Sequence, residues 1–558
     1  MERIFRFFNR EIQGLHQTAF LLASATIGAK ILALLRDRLL ASTFGAGKTL
    51  DIYYAAFRIP DFLYVFSLAL VSTTVLIPIF LEKKERSSKE ALALMNSIWT
   101  FFFLVITVLA VAVYFTLPYL VRFVAPGFSA ADTSTLINLS RILLLSPIFL
   151  GISNLLSSVV QSFKRFAVYA LSGVLYNAGI IFGLVVFYPI FGERGIVSGV
   201  VLGAFLHLFV QLPVLVRLKY LPFFTAKIAW HDIKKVFLLS FPRTLGLSLN
   251  EIMLTVITAL ASFMAAGSIA VFNFAINLNA LPLGIIALSY SVAAFPDLAH
   301  KFLKDEKEKF MFMISSAVRH MVFWLLPASA LFIVLRAQIV RVILGAGAFT
   351  WTNTRLTAAS LAILSFSLFA QGLILLLVRA FYAAGKTKIP LIVNVVSSFF
   401  TVSLALLLMY LSKVFPDTRV YLENFLRVGG VQGTSMLILP LAYSLGTVVN
   451  VFLLWSFFKK IFTDFCGEVY RSFLEIIFVS VIIGFTSYIF LGILDDVFDI
   501  NTFLGVFMQG FLAGIFGLFS GFFTFKLLKN AEFQELALSL KNRLPKKKPI
   551  APEIEELP

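Results

Sequence analysis

The sequence predicts an all-α polytopic membrane protein with about fourteen transmembrane helices, arranged as two parallel six-helix lobes plus two C-terminal helices. Three observations carry this expectation. Of 558 residues, 59% are hydrophobic and 14% charged, with a mean hydropathy of +0.93; a soluble domain carries about 45–50% apolar and about 25% charged residues. The apolar runs are continuous and lack period-2 alternation, which fits spanning helices and excludes a closed β-barrel. Finally, two sequence landmarks recur at one offset, which sets the number of lobes. The composition excludes a soluble enzyme, a disordered chain and a nucleic-acid-binding protein.

The expected spans centre on 18–38, 52–81, 92–122, 134–162, 167–190, 195–217, 234–264, 268–299, 310–344, 354–384, 388–412, 432–458, 469–494 and 502–528. Several exceed the roughly 20 residues a bilayer needs, so they should tilt, bend or protrude. Pro60, Pro147, Pro282 and Pro327 lie inside spans and predict kinks, since proline removes a backbone donor. The net charge of +18 reflects basic loops on one face of the membrane. EKKERSSKE (82–90), KFLKDEKEK (301–309), the 217–235 segment and Lys546, Lys547 and Lys548 all fall on that side if the N-terminus is cytoplasmic. Both termini then lie inside, which requires an even number of spans. Arg3, Arg6 and Arg10 precede the first apolar run with no small-residue cleavage site after it, so that run reads as a retained signal anchor. The single cysteine, Cys466, excludes an intramolecular disulfide.

AGKTLDIYYAAFRIP (46–60) resembles AGSIAVFNFAINLNALP (266–282), with Gly47 and Gly267 about 220 residues apart. SPIFLGISN (146–154) resembles FSLFAQGLI (366–374) at about the same offset, and Asn177 and Asn394 fall in comparable places. A six-helix unit returns the chain to its starting side, so the copies are parallel. The expected organisation is an N-terminal amphipathic segment (1–16), a first lobe (17–218), a cytoplasmic linker (219–232), a second lobe (233–461), helices 13 and 14 (462–530) and a cytoplasmic tail (531–558).

Charges at membrane depth are costly, about 2.5–3.5 kcal/mol each on insertion scales, and mark candidate sites. Span 1 carries Lys30 near its middle, then Arg36, Asp37 and Arg38. Lys30 and Arg36 form a candidate cationic patch for an anionic substrate, with Asp37 holding an arginine in place. Arg38 reads as an end-of-helix residue. Span 2 opens with Asp51, at a capping position, and carries Arg58. Span 7 holds Arg243 and Glu251 on one face, eight residues apart. Glu251 admits two readings, ion or proton coupling and structural pairing with a cation. In span 8, Asn277 is a cavity candidate beside Asn273 and Asn279. Arg58, Arg243 and Asn277 join Lys30 and Arg36 as substrate-binding candidates; Asp37, Asp51 and Glu251 are gating, structural or coupling candidates. Arg141, Arg379 and Arg471 read as snorkelling residues, and His207 and His320 as packing residues. No GxxxxGK[ST], catalytic triad or zinc signature occurs, so no enzyme activity, cofactor or metal is expected.

AKILALLRDRLLASTFGAGKTLDIYYAAFRIPDFL and NLNALPLGIIALSYSVAAFPDLA (277–299) resemble the MurJ (MviN) lipid II flippase family of the MOP exporter superfamily, and the likeness runs from about 17 to 530. It implies fourteen helices in a 6 + 6 + 2 layout and transfer of undecaprenyl-pyrophosphate-linked disaccharide pentapeptide from the inner to the outer leaflet. It also implies that Lys30 and Arg36 stand at basic positions facing the pyrophosphate and that Asp51 matches a functional aspartate. Tyr64 and Asn277 stand where the family commonly has arginines, and Arg58 and Arg243 are candidates to compensate. Ile257 stands where a sodium-associated acid is found in some members. Helices 13 and 14 would supply a groove for the lipid tail. Expected partners are the lipid-linked glycan, membrane lipids and cell-wall synthesis proteins, with no nucleic acid and a monomeric state. Two alternatives stay open: a flippase for another polyprenyl-pyrophosphate oligosaccharide, and a non-transporting cell-wall scaffold. A cation-drug antiporter fits less well, because its cavity would need buried acids.

Overall fold

The computed structural model describes residues 15–462 and 467–543; the 1–14 segment, Cys466 and the tail from 544 lie outside the described residues. Among the described residues there are helices and no strand. Among the described residues, twelve helices are long and apolar enough to cross a membrane, or thirteen when Trp351–Phe366 and Leu368–Ala383, broken at Ser367, count as one span. Helix Leu15–Phe44 precedes them; its 30 residues reach about 45 Å at 1.5 Å per residue, enough to cross. These elements follow the fourteen apolar runs of the sequence.

The spans are segmented where the sequence gives local reasons. Span 2 (Lys48–Arg86) consists of Lys48–Ala56, Arg58–Val71 and Thr73–Arg86. Pro60 sits in the first turn of its second piece, where the missing N–H costs no helical bond. Pro147 occupies the same kind of position in Leu145–Ser162, after a break at Leu144. Pro282 ends Ser268–Pro282 and is followed by a π-turn, Leu283–Ala287. Of these four prolines, only Pro327 lies inside an unbroken helix, Lys307–Val334. The expected 310–344 span is two elements, because the chain turns at Leu335 before helix Arg336–Leu344.

The helices group into two compact units. The larger extends to Leu281 and adds Arg336–Ser367 and Gly385–Phe457; the smaller comprises Pro282–Leu335, Leu368–Ala384 and the chain from Phe458. In the larger unit, Phe80, Phe102, Leu155, Leu156 and Val159 form a fully buried core among spans 2, 3 and 4. Gly179 and Gly183 of helix 166–187 meet Gly199 and Gly203 of Glu193–Phe209 backbone to backbone. Small residues every fourth position permit that approach, where van der Waals contact replaces the hydrophobic effect. The 219–229 segment is tied to span 3: Phe223 N donates to Asn96 Oδ1 (2.9 Å), Thr225 N to Thr100 Oγ1 (3.0 Å) and Ala229 N to Ser97 Oγ (3.1 Å).

In the smaller unit, glycines at 517 and 521 of Phe503–Leu527 let Ser487 and Ile483 of Gly467–Asp495 approach closely. A final helix, Ala531–Arg543, is pinned by a buried ion pair from Arg319 to Glu532 (3.1 Å) and by Asn530 donating to Glu475 (3.1 Å).

Candidate functional site

Span 1 runs unbroken from Leu15 to Phe44 and carries its charges within the larger unit. Asp37 is buried, and its carboxylate organises the neighbourhood. Oδ1 accepts from Arg36 Nε (2.9 Å) and Nη2 (2.8 Å); Oδ2 accepts from Asn277 Nδ2 of span 8 (3.1 Å). Arg36 Nη1 also donates to Asn177 Oδ1 of span 5 (3.3 Å). Asn177 is itself oriented, because its Nδ2 donates to Gly173 O (3.1 Å). Arg36 is thus fixed in direction while three of its five N–H groups are used. Two remain uncommitted to described residues, in the planar fork that suits phosphate oxygens. Lys30 lies six residues earlier, about 9 Å along the axis. It is half-buried and has no ion-pair partner among the described residues.

A second cation is held across the unit. Arg58, 7% exposed, donates from Nε to Thr258 Oγ1 of span 7 (2.9 Å) and from Nη2 to Asn273 Oδ1 of span 8 (3.0 Å). Both acceptors are oriented from their own helices, Thr258 by donating to Leu254 O and Asn273 by donating to Ile269 O. Asp61 and Glu251 are the acidic neighbours whose charges act on Arg58. Glu251 is half-buried and lies outside direct ion-pair reach of Arg58. Arg243 belongs to helix Trp230–Ala261, but its side chain lies outside the described residues. Tyr64 accepts a hydrogen bond from Asn154 Nδ2 (2.9 Å), joining spans 2 and 4.

At one end of the unit the loops close on each other. Asp51, 3% exposed, accepts from Gly267 N (2.6 Å), just before helix Ser268–Pro282, and from Ala270 N (2.8 Å) in its first turn. A carboxylate there satisfies orphan donors and meets the positive end of the helix dipole. Gly267 has φ +93°, and a Cβ on it would collide with Ala46 O. Gly347 has φ +52° and faces Ser42 O in the same manner, while Ala348 N donates to Ser42 O (2.8 Å). Gly127 N donates to Ser262 Oγ (2.9 Å). Beneath this seal, Tyr54, Phe274 and Phe349 stack edge-on with centroid spacings of 5.9 Å.

The structure therefore joins Arg36, Asp37 and Asn277 by hydrogen bonds, leaves Glu251 acting on Arg58 by its charge alone, keeps Lys30 six residues earlier on span 1, and puts Asp51 at the sealed end. Two linkages carry no sequence signal. Arg38 Nη1 donates to Val342 O (2.6 Å) and Ile343 O (3.3 Å), capping the C-terminus of Arg336–Leu344 from a distant part of the chain. Asn177, noticed only as a repeat landmark, proves to be a ligand of Arg36. His207 is a packing residue, bonded to Ser153 Oγ (2.6 Å) and Ser172 Oγ (3.1 Å).

A probable lipid II flippase MurJ from Buchnera aphidicola subsp. Schizaphis graminum is 29% identical over 384 residues, covering 67% of this chain and 74% of that protein. Another, from Rickettsia prowazekii, is 28% identical over 408 residues, covering 71% and 78%. Among solved structures, a lipid II flippase MurJ in an inward closed conformation superposes with a TM-score of 0.71 at 24% identity, covering 91% of this chain and 99% of that one. An inward-facing multidrug resistance MATE transporter of the MOP superfamily gives 0.61 at 14%, covering 78% and 96%. The family model for lipid II flippase MurJ matches residues 40–416, well over half of the sequence, and the chain belongs to that family.

Proposed function

We propose that this protein is a lipid II flippase, moving undecaprenyl-pyrophosphate-linked disaccharide pentapeptide from the inner to the outer leaflet by alternating access. Family membership supports the substrate class. The observation that carries the site is the oriented Arg36 guanidinium with two uncommitted N–H groups, beside the uncompensated Lys30. A pyrophosphate diester offers acceptor oxygens and negative charge, the complement of both. An inside-negative potential favours transfer of negative charge outward by roughly 2.3 kcal/mol per charge per 100 mV.

The distribution of Lys and Arg supports both termini in the cytoplasm of a bacterial inner-membrane protein. In that orientation the seal around Asp51 and Gly267 is the outer gate. Asp37 then has two roles, aiming Arg36 and latching span 1 to span 8 through Asn277. Substrate entering from the inner leaflet competes with Asp37 for Arg36 and weakens that latch. The repeat-related lobes, 17–218 and 233–461, are the bodies that rock, with Arg58 as the cation linking span 2 to spans 7 and 8. Arg243 is a further substrate contact and Glu251 the coupling or pairing acid. The protein acts as a monomer, with cell-wall synthesis proteins as its neighbours.

The test is complementation of a lipid II flippase depletion strain at matched expression. Rescue by wild type, with loss for Lys30→Glu and Arg36→Glu, supports the function and the site. Rescue by all three removes the cationic site. Failure of well-expressed wild type to rescue contradicts lipid II as the substrate.

A further inference from the structure

We propose that the larger unit carries a binding site for the phosphate headgroup of a membrane phospholipid, on the outer flank of spans 3, 4 and 6. Two cavities, of about 690 and 680 Å³, share Asn138 and Arg141. The first is lined by Val111, Tyr114, Leu145 and Ile148 and reaches Arg194. The second runs the other way along the helices, past Pro118 and Phe128, to Arg122. Three arginines from three different spans thus border one continuous space.

None of the three has a carboxylate partner among the described residues. The nearest candidate on span 4, Asp132, is already engaged by Lys48 (2.9 Å) and closes a capping box with Ser129. Arg141 lies over the Tyr114 ring, 4.6 Å from its centroid, and this contact sets the plane of its guanidinium. Its Nε is buried yet makes no hydrogen bond. A buried charged donor left unsatisfied is costly, and an incoming acceptor relieves it.

The two cavities differ in character as a lipid does. Below Arg141, Ile148 lies about 10 Å further along span 4. There the lining is apolar, and Val111 and Leu145 are about half exposed on the surface that faces the bilayer. Beyond Arg141 the lining turns polar, with Thr133, Ser134 and Asn138, and past Tyr114 span 3 exposes Tyr119 and Phe123, aromatic residues of the kind found at headgroup depth. An acyl chain fits the first cavity and a phosphate the junction at Arg141, with Arg122 and Arg194 on either side. A soluble anion would use the arginines and leave the apolar half unfilled, so the occupant is a lipid. The inference rests on this flank alone and stands apart from the flippase reading.

The test uses the full-length protein in nanodiscs with a photoactivatable phosphatidylglycerol, reading adducts on peptides that contain Val111, Leu145 and Ile148. Arg122→Gln/Arg141→Gln/Arg194→Gln should lower adduct yield at least about tenfold, as expected for losing charge-assisted phosphate contacts. A control with the same charge change elsewhere, Lys413→Gln/Lys459→Gln/Lys460→Gln, should stay near wild type. Arg141→Lys keeps the charge and loses the fork, so it should fall between, and it remains informative if the triple variant does not fold. Equal yields in wild type and the arginine variants would overturn the proposal. So would equal yield from a photoactivatable diacylglycerol that lacks phosphate, or displacement by millimolar inorganic phosphate, which assigns the arginines to a free anion.

Discussion

Replacing Asp51 with asparagine should open the sealed end of the bundle. The carboxylate accepts two short hydrogen bonds, from Gly267 N at 2.6 Å and Ala270 N at 2.8 Å, and is almost fully buried. Charge-assisted bonds contribute about 1.5–3 kcal/mol each. Asparagine keeps one carbonyl acceptor but turns an NH₂ toward the other amide, so at least one bond is lost. The interaction of the charge with the helix N-terminus, about 0.3–1 kcal/mol, goes with it. The closed arrangement is therefore weakened by roughly 2–4 kcal/mol, a population shift of roughly 30- to 1000-fold. Because Cys466 is the only cysteine, Cys466→Ser gives a clean background. Ala275→Cys, at a fully buried position next to the Phe274 ring, then serves as reporter. A membrane-impermeant maleimide added from outside should label the Asp51→Asn protein at least about tenfold faster than its parent. Unchanged labelling in a folded Asp51→Asn protein would refute the gate argument.

Gly267→Ala should act at the same place by sterics: φ +93° is costly for a side chain by about 1–2 kcal/mol, and its Cβ meets Ala46 O, so external labelling of the same reporter rises. Arg38→Gln should lower the stability of the protein by about 1–3 kcal/mol through loss of the cap on Val342 O and Ile343 O, read as a lower unfolding temperature in detergent. Glu532→Ala takes the carboxylate from the buried Arg319 guanidinium and should cost about 3–5 kcal/mol, again read by thermal unfolding. Glu423, in helix Pro416–Leu426 between spans 11 and 12, is the group to watch on acidification. Burial pushes its carboxyl up, but the hydrogen bonds from Thr434 and Arg419 and the nearby guanidinium outweigh this and hold it below the usual range. Its contribution is thus present above the unfolded value of about 4.3 and is lost as pH falls through the lower folded value. Glu423→Gln should remove that part of the acid dependence of the unfolding temperature, and an identical profile in the variant would contradict it.

The spans were legible because a bilayer demands long apolar helices, and each apolar run has its counterpart among the helices. Breaks inside spans were less so. Pro60 and Pro147 signalled irregularity, yet both sit just inside new helix starts rather than at mid-helix kinks. The turn at Leu335 carries no proline or glycine to betray it. At the site, the deep charges of spans 1 and 2 stood out against their apolar surroundings. Their partners did not, since Asn177, Asn273 and Thr258 are ordinary polar residues whose meaning comes from a contact some 140 to 215 positions away in sequence. Asp51 shows the difference most clearly. Its position at a helix start suggests that it caps its own helix, whereas it caps one that begins more than 200 residues later.

In the proposed function, Arg36 and Lys30 receive the pyrophosphate of a lipid-linked glycan. Its most direct test is transbilayer movement of fluorescent lipid II in proteoliposomes, followed by quenching from the outer face, with wild type, Arg36→Glu and Asp37→Asn reconstituted at equal density. Movement should be rapid for wild type, no faster than in protein-free vesicles for Arg36→Glu, and slowed for Asp37→Asn, which leaves Arg36 poorly aimed. Movement by Arg36→Glu at the wild-type rate would contradict it.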